Sequence, residues 1–202
     1  METTPKDVRE RLIRTGLEEL NSCGPQKFSV RRVAERCGVS CAAPYKHFKD
    51  KNDFLAAIIT YANSLWAERQ REVVRNCPDS TREQLVQISM AYIHFLVENP
   101  YFRSALMLKD EAFDNEHLHL RGDVSQLTRK LITRYCAEVG MPERVELVKT
   151  FIVRSLIYGA ALMLDNGELP NTPDILEEVA QVIDREFDLP GTTSATALGT
   201  EL

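Results

Sequence analysis

The residue types that could do chemistry in this sequence are basic, aromatic and small side chains that follow one another between positions 26 and 51. Lysine, histidine and tyrosine are suited to donate hydrogen bonds to phosphate oxygens. Small side chains can lie close to base edges, and an alanine methyl can contact the thymine methyl group. These residue types indicate contact with a nucleic acid. The candidates are Gln26, Lys27, Ser40, Cys41, Ala42, Ala43, Tyr45, Lys46, His47 and Lys51.

The elements that must position these residues are two short helices around a tight turn. Ser29 is a suitable N-cap for a helix whose apolar residues recur at helical spacing up to Cys37. Gly38 follows, where a helix end favours a residue that tolerates positive φ. Ser40 is a suitable N-cap for a second short helix, and Asp50 for a third helix. Helix, glycine turn and short helix form the pattern of a helix-turn-helix, whose second helix reads base edges with its N-terminal residues.

Three segments carry a resemblance to a known family: Phe28–Val30, Val33–Ser40 and Tyr45–Phe48, followed by Lys51. They resemble the DNA-binding domain of the tetracycline-repressor (TetR/AcrR) family of bacterial transcription regulators. The resemblance covers roughly residues 6 to 60. It implies that Tyr45 and Lys51 contact phosphates and that Ser29 lies where the first helix of the motif approaches the DNA backbone.

The sequence departs from the family pattern inside the second helix of the motif. Cys41 and Ala42 stand where the family commonly has lysine and glycine, and Pro44 stands where it has leucine or isoleucine. Pro44 would fall about four residues into the helix and lacks the N–H that would bond the cap carbonyl. We therefore expect this helix to start late or distorted. Tyr45 and Phe48, three apart, are predicted to share a face, so core packing beside Phe48 is the alternative role of Tyr45.

The net charge of −5 conceals an uneven distribution. Residues 1–51 hold 11 Lys/Arg and 7 Asp/Glu, a balance of +4. The rest of the chain holds the remaining 14 Lys/Arg and 23 Asp/Glu, a balance of −9. A basic head on an acidic body directs the head toward phosphate. Five cysteines without a CxxC motif are typical of reduced thiols, and METTPKD has no hydrophobic signal core. Both observations predict a cytoplasmic protein.

Helical periodicity recurs along the whole chain and no alternating strand pattern appears, so we predict an all-α fold of nine helices. The nine include a helix from Tyr101 to about Leu108. The predicted organisation is a helix-turn-helix domain over 1–52, a helical effector-binding and dimerisation domain over 53–188, and a disordered tail over 189–202.

The last two helices are apolar on more than one face, which indicates burial beyond what one small domain provides. In the resembled family these helices form a four-helix dimer interface, which would place two reading helices at successive major grooves. Core packing within one chain is the alternative. The predicted interface residues are Ile152, Ser155, Leu156, Gly159, Met163, Val179, Val182 and Ile183.

Aromatic residues and methionines in the body could line a site for a small-molecule effector. By resemblance, an inducer bound there would favour a conformer whose two heads no longer match adjacent grooves. Core packing is the alternative for each of these residues. They are Trp66, Tyr92, Phe95, Tyr101, Phe102, Met107, Phe113, Tyr158 and Met163, with His94 beside them.

Other site types have weaker support. His117 and His119 could ligate a metal from a strand or loop, but a polar loop is the default, and no metal or cofactor is predicted. Oxidation of Cys37 or Cys41 could disturb DNA binding, although Cys37 fits a buried apolar position. No enzyme motif such as GxSxG, a phosphate loop or HExxH is present. The remaining alternatives are an α-helical enzyme and a helical adaptor without DNA binding. Against the adaptor argue Tyr45, Lys46, His47 and Lys51.

Overall fold

Seven α-helices form most of the described part of the chain in this computed structural model, which describes residues 5–77, 80–100 and 126–188. A single 3₁₀ turn, Pro44–Lys46, lies between the second and third helices. The described residues contain no β-strand, so the all-α prediction is confirmed for them. The helices are α1 (Pro5–Lys27), α2 (Val30–Arg36), α3 (Lys51–Asn76), α4 (Thr81–Glu98), α5 (Gln126–Val139), α6 (Glu143–Asp165) and α7 (Pro173–Arg185).

The predicted count of nine helices is wrong for the described residues. The segment after Gly38 forms a 3₁₀ turn where a short α-helix was expected. The predicted helix from Tyr101 to about Leu108 lies outside the described residues, as does the tail from residue 189. The other seven predicted helices are present. α1 contains a kink at Gly24, which has a φ of 75°, at the residue where the sequence predicted the helix to end.

The helix starts follow the capping residues in the sequence. The Ser29 hydroxyl accepts a hydrogen bond from the Arg32 backbone N–H at the start of α2. Asp50 and Asp53 form a reciprocal pair before α3: Asp50 Oδ1 accepts from the Asp53 N–H, and Asp53 Oδ2 accepts from the Lys49 N–H. Each cap satisfies backbone N–H groups that have no partner inside the helix. The predicted caps Ser29 and Asp50 are therefore confirmed.

The described chain divides into two compact units. The first comprises residues 5–72, 94–100 and 126–127, and the second comprises 73–77, 80–93 and 128–188. The boundary predicted between residues 52 and 53 falls inside α3 and stays a prediction.

The core of the first unit is built around aromatic rings that connect α3 to the segments before it. Phe48 stacks on Phe54 with ring centroids 4.2 Å apart, and Phe28 meets Phe54 edge-on at 5.6 Å. α1 lies close to α3 at Gly16, where a Cβ atom would come within 2.7 Å of Ile58 Cδ1. The predicted core role of Phe48 is confirmed, because it is almost fully buried.

The core of the second unit is bordered by a partly exposed arginine cluster. Arg82 on α4 forms a two-pronged ion pair with Asp184 on α7, at 2.7 and 2.8 Å, and reaches Asp188 at 2.8 Å. Beside it, the Tyr135 hydroxyl donates to the Phe187 carbonyl oxygen at 2.7 Å. This cluster holds α4 and α5 to the C-terminal end of α7.

α6 is the one helix in the described residues that is long and apolar enough, with a mean hydropathy of 1.6, to cross a membrane by those criteria. The core or interface helix of a protein without any membrane contact meets the same criteria, so this finding does not separate the two.

Candidate nucleic-acid interface

The first support of the interface is a buried carboxylate that ties α2 to α1. Glu19 on α1 is 4% exposed. It pairs with Arg32 Nε at 2.5 Å and with Arg36 at 3.5 Å. Arg32 also donates to the Lys27 carbonyl oxygen at 2.6 Å. The buried carboxylate and its two arginines thus connect α2 to α1 by charge-assisted hydrogen bonds and ion pairs.

Sequence analysis missed this role of Glu19. It sits in the run Leu17-Glu18-Glu19-Leu20, where an acidic residue on an amphipathic helix usually faces solvent. No local signal distinguishes Glu19 from Glu18, which is exposed. The difference arises from packing: Glu19 is buried where α1 meets α2, whereas Glu18 stays exposed although it also pairs with Arg36.

The second support is the turn that ends α2. Gly38 has a φ of +66°, a conformation that residues with a Cβ rarely adopt. Its N–H bonds the Glu35 carbonyl oxygen, and the Val39 N–H bonds the Ala34 carbonyl oxygen. These two bonds satisfy carbonyls that the helix end would leave open. The predicted glycine turn is confirmed, and it sets the direction in which the reading segment leaves α2.

The reading segment, residues 40–48, is not the α-helix that the sequence predicted. Ala43 N–H bonds the Ser40 carbonyl oxygen, and the single 3₁₀ turn follows at Pro44–Lys46. Pro44 is fully buried and stands at the first position of this turn, where its missing N–H costs nothing. The expectation that Pro44 lies four residues inside a helix is therefore wrong, and the expected distortion takes the form of a short turn.

Tyr45 and Phe48 do not share a face. Tyr45 is 58% exposed, whereas Phe48 is buried against Phe54. The turn ends at Lys46, so the spacing of three residues no longer brings the two rings to one side. Core packing as the role of Tyr45 is therefore wrong, and the side chain is available to a ligand.

The eleven predicted DNA-contact residues all keep exposed surface. Ser29, Ala43 and His47 are half-buried. The other eight are exposed: Gln26, Lys27, Ser40, Cys41, Ala42, Tyr45, Lys46 and Lys51. Exposure makes DNA contact possible for each of them, and the contacts themselves stay predictions.

Two cations of this unit lie on the faces of core aromatic rings. Lys51 Nζ is 5.9 Å from the centroid of Phe28, and the Arg9 guanidinium is 5.3 Å from that of Phe48. Such contacts restrict a long side chain while leaving its charge at the surface. Lys51 is therefore partly oriented before any ligand arrives.

All five cysteines are free thiols. Cys37 is buried, as predicted, and donates a weak hydrogen bond to the Arg11 carbonyl oxygen at 3.7 Å. Cys41 is exposed within the reading segment. The suggested redox role of either thiol stays a prediction.

The predicted effector residues fall into four groups. Trp66 and Phe95 pack together in the core of the first unit, with centroids 5.4 Å apart. Tyr92 and Tyr158 meet edge-on in the second unit, where burial first, and then the Tyr158 hydroxyl, raises the pKa of Tyr92. Met163 is exposed, and His94 is half-buried.

The remaining candidates lie outside the described residues: Tyr101, Phe102, Met107 and Phe113, together with the suggested metal ligands His117 and His119. The described residues contain no other cluster suited to a metal ion.

α6 presents an apolar surface that one chain leaves uncovered. Leu147 and Phe151 are 72% and 69% exposed, and Leu162 and Met163 are exposed further along the same helix. Of the predicted interface residues, Ser155, Met163 and Val182 are exposed and Ile152, Leu156, Gly159 and Val179 are half-buried. Ile183 is fully buried in its own chain and cannot contact a second copy, so its assignment to the interface is wrong. On α7 only a narrow stripe faces the core, so the spacing of its apolar residues did not show that Ile183 points inward whereas Val182 is exposed.

The geometry thus defines an all-helical protein with an N-terminal helix-turn-helix unit. Residues 12–58 match the family described as bacterial regulatory proteins, tetR family. Over 50 residues the chain is 50% identical to the class C tetracycline repressor protein of Escherichia coli, a match that spans 25% of this chain and 23% of that protein. It is also 25% identical to the nucleoid occlusion factor SlmA of Shewanella pealeana, over 95% of this chain and 91% of that protein.

Solved structures share the fold over most of the chain. The regulator FadR of Bacillus subtilis, in complex with stearoyl-CoA, has a TM-score of 0.72 at 14% identity, covering 88% of this chain and 98% of that one. A TetR variant of Acinetobacter baumannii in complex with minocycline has a TM-score of 0.56 at 20% identity, covering 87% and 92%. The N-terminal unit thus matches the tetR family of bacterial regulatory proteins, and these solved structures share the helical fold over most of the chain.

Proposed function

We propose that this protein is a cytoplasmic transcriptional repressor that binds a palindromic operator as a homodimer and is released by a small molecule bound in its helical body. The observation that carries the proposal is the exposed set of basic, aromatic and small residues on a unit that matches the family over residues 12–58. The rest of the proposal follows from charge, from the uncovered apolar surface and from the ligands of the structural relatives.

The first step is affinity for the DNA backbone. Lys27, Lys46 and Lys51 are exposed, and Tyr45 offers its hydroxyl from the same unit. Phosphate contacts of this kind position a protein on the duplex without reading sequence. The acidic body would be repelled by the same phosphates, which favours approach with the basic head first.

The second step is dimerisation. The exposed apolar residues of α6 run from Leu147 to Met163, which is about 24 Å of helix at 1.5 Å per residue. An apolar surface of this length is unfavourable in water and favours a second copy as its cover. A two-fold pair would present two heads to half-sites about one helical turn apart.

The third step is release by an effector. Two structural relatives are solved in complex with small molecules, stearoyl-CoA and minocycline. A ligand that binds one conformer more tightly shifts the population toward it. A conformer whose heads no longer match adjacent grooves would leave the operator. The related proteins are regulators, so we propose no catalytic activity and no cofactor.

The experiment that tests the proposal is selection of bound fragments from genomic DNA, followed by titration at several salt concentrations. We expect the protein to enrich few sequences with two-fold symmetry and its affinity to fall steeply with salt. The double substitution Tyr45→Ala and Lys51→Ala should abolish this binding while the helical content and the dimer persist. Arg14→Ala and Glu68→Ala, at exposed positions outside the proposed interface, form the control pair.

Two results would overturn parts of the proposal. Binding of the double variant equal to that of the parent removes Tyr45 and Lys51 from the interface. A parent that enriches no sequence favours the adaptor alternative.

A second candidate, a role in nucleoid occlusion, has support from the match to SlmA over 95% of the chain. It predicts enriched sites spread over the chromosome, whereas a repressor enriches a few promoter regions.

A further inference from the structure

The last turn of α1 follows a kink, and it carries residues that are predicted to contact phosphate. Gly24 has non-helical backbone angles, φ 75° and ψ 167°, inside α1. Such angles interrupt the regular ladder of hydrogen bonds between residues four apart. Gln26 and Lys27 come directly after the kink, and Ser29 caps α2. Residues 26–29, the connecting segment, therefore need support from another part of the unit to hold one geometry.

Arg32 on α2 supplies this support, because its guanidinium bonds α1 on both sides of the kink. Before the kink, Nε donates to Glu19 Oε1 at 2.5 Å, and a terminal amino group donates to Cys23 Sγ at 3.5 Å. After the kink, the same amino group donates to the Lys27 carbonyl oxygen at 2.6 Å. One side chain thus bridges the kink and holds the connecting segment to the part of α1 that precedes it.

The fixed end of this bridge is the buried carboxylate. The Glu19 side chain is 6% exposed, whereas that of Arg32 is 51% exposed. Removal of a partner from a buried charge is strongly unfavourable, so Arg32 stays at Glu19. A guanidinium is a planar fork, and a fork fixed at Nε also fixes the direction of its amino groups. The Lys27 carbonyl oxygen is therefore held at a defined place relative to α2.

Arg36 provides a comparison within the same helix. It pairs with Glu18 at 2.6 Å and with Glu19 at 3.5 Å, and both of these partners precede the kink. Within the described residues, Arg36 makes no hydrogen bond to the connecting segment. Arg32 and Arg36 thus share the buried partner Glu19 and differ in whether they hold residues 26–29.

The connecting segment carries side chains suited to the DNA backbone. Gln26 and Lys27 are exposed, and Ser29 is half-buried. Phosphate contacts fix the register and orientation of a protein on the duplex. Donors that are already held in place lose less conformational entropy on binding than donors on a loose segment. The bridge made by Arg32 should therefore strengthen DNA binding through residues that it holds.

We propose that Arg32 is a positioning residue for DNA binding: by bridging the kink at Gly24, it holds the connecting segment where Lys27 reaches a phosphate. The inference rests on the proposed DNA-binding function and adds to it a residue that acts through Lys27. Sequence analysis did not select Arg32, because its bond partners lie five to thirteen residues earlier in the chain.

The test is a double-mutant cycle between Arg32 and Lys27, with Arg36 as the matched control. Lys27→Ala is made in the parent, in Arg32→Ala and in Arg36→Ala. Arg32→Lys, with and without Lys27→Ala, is the second variant. It keeps a cation beside Glu19 and so preserves the fold, but it lacks the planar fork. Affinity of the full-length proteins for the fragment enriched from genomic DNA is measured at several salt concentrations, and urea denaturation gives the stability.

We expect Arg32→Ala to weaken DNA binding by about 5- to 30-fold, the factor that corresponds to the ordering of one backbone residue. Its salt dependence should fall by about one phosphate contact. Lys27→Ala should weaken binding in the parent and in Arg36→Ala, but by less than about twofold in Arg32→Ala, where Lys27 is no longer held. Arg32→Lys should show the same loss of coupling. A purely structural role of Arg32 would lower the stability and leave the cost of Lys27→Ala unchanged.

Three results would overturn the inference while the proposed function stands. The first is an equal cost of Lys27→Ala in the parent, in Arg32→Ala and in Arg32→Lys, which would show that Arg32 does not act through Lys27. The second is the same coupling in Arg36→Ala, which would assign the effect to the packing of α2 on α1 in general. The third is a parent that binds its fragment equally well without the Lys27 side chain.

Failure of the proposed function itself has a different signature. A parent that enriches no sequence from genomic DNA would remove both the function and the inference, and this result is known before any variant is made. If Arg32→Ala does not fold, the comparison between Arg32→Lys and Arg36→Ala decides the inference.

Discussion

The helix-turn-helix unit and the α6 surface differ in what they present and in how they are built. The first holds its charges in place with ion pairs and aromatic rings, such as Arg32–Glu19 and Phe48–Phe54. The second exposes large apolar side chains, among which Leu147 and Phe151 have the highest exposed fractions. The 50-residue match to a tetracycline repressor is 50% identical, whereas a match over nearly the whole chain is 25% identical.

This contrast has a physical origin. DNA has the same groove dimensions for every protein that reads it, so a reading unit must hold one geometry. A surface that pairs with a second copy of itself requires only apolar area and self-complementary shape, which many sequences provide. A dimeric DNA-binding protein is thus expected to hold its DNA-reading unit rigid with polar contacts. It is also expected to expose an apolar surface that a second copy can cover.

The largest effect is expected from breaking the apolar surface. Phe151→Glu combined with Met163→Glu places two charges on the proposed dimer face, where burial of a carboxylate is strongly unfavourable. We expect a monomer by light scattering and a loss of operator affinity of about 1,000-fold or more, since one head must bind without its partner. Leu65→Glu, at an isolated exposed leucine of α3, is the control and should stay dimeric. A dimeric double variant with full affinity would locate the interface elsewhere.

The next effect concerns the rigidity of the reading unit. Glu19→Gln removes the buried charge that Arg32 and Arg36 share, and we expect a loss of about 1–3 kcal/mol in the free energy of unfolding. Urea denaturation measures it. Glu18→Gln, which removes an exposed partner of Arg36, should cost less than about 0.5 kcal/mol. Equal losses for the two variants would show that burial of Glu19 contributes nothing to the support of α2.

A smaller effect is expected at the arginine cluster of the second unit. Hydrogen bonding to Arg82 lowers the pKa of the Asp184 carboxyl below its ordinary value. A lowered pKa in the folded state means that the stabilisation is present above the ordinary pKa near 4 and is lost as pH falls through the folded-state pKa.

Asp184→Asn should therefore destabilise the protein at pH 7 by about 0.5–1.5 kcal/mol, discounted because the carboxylate is partly exposed. The difference from the parent should shrink as the pH falls from about 4 toward 2. Denaturation at a series of pH values measures it, with Glu177→Gln on the exposed side of α7 as the control. A difference that is constant with pH would mean that the charge of Asp184 is not the source of its contribution.

The smallest effect is expected at Cys41. Because a thiol is a weak hydrogen-bond donor, Cys41→Ala should keep operator affinity within about twofold and stability within about 0.5 kcal/mol. Fluorescence titration against the enriched fragment measures the first quantity. A tenfold or larger loss of operator affinity would show that Cys41 itself contacts a base.

Local sequence patterns predicted the elements that depend on neighbouring residues. The caps Ser29 and Asp50 and the turn at Gly38 follow from hydrogen bonds that close within a few positions. The family resemblance in residues 28–51 was sufficient to predict the family, which the match over 12–58 bears out. The prediction of a second short α-helix failed around Pro44. The spacing of apolar residues there is helical, but the backbone forms a single 3₁₀ turn, Pro44–Lys46.

The sequence by itself predicted the helical fold of the described residues, the basic head and the resemblance of the N-terminal segment to the tetR family, because periodicity, charge, capping and local motifs are properties of short stretches. Only the tertiary structure decided that Glu19 is buried and that Ile183 points inward. Each of these depends on residues that are distant in the chain or on which side of a helix faces a neighbour. Side chains of the same type, such as Glu18 and Glu19, acquire different roles only when packing removes one of them from water.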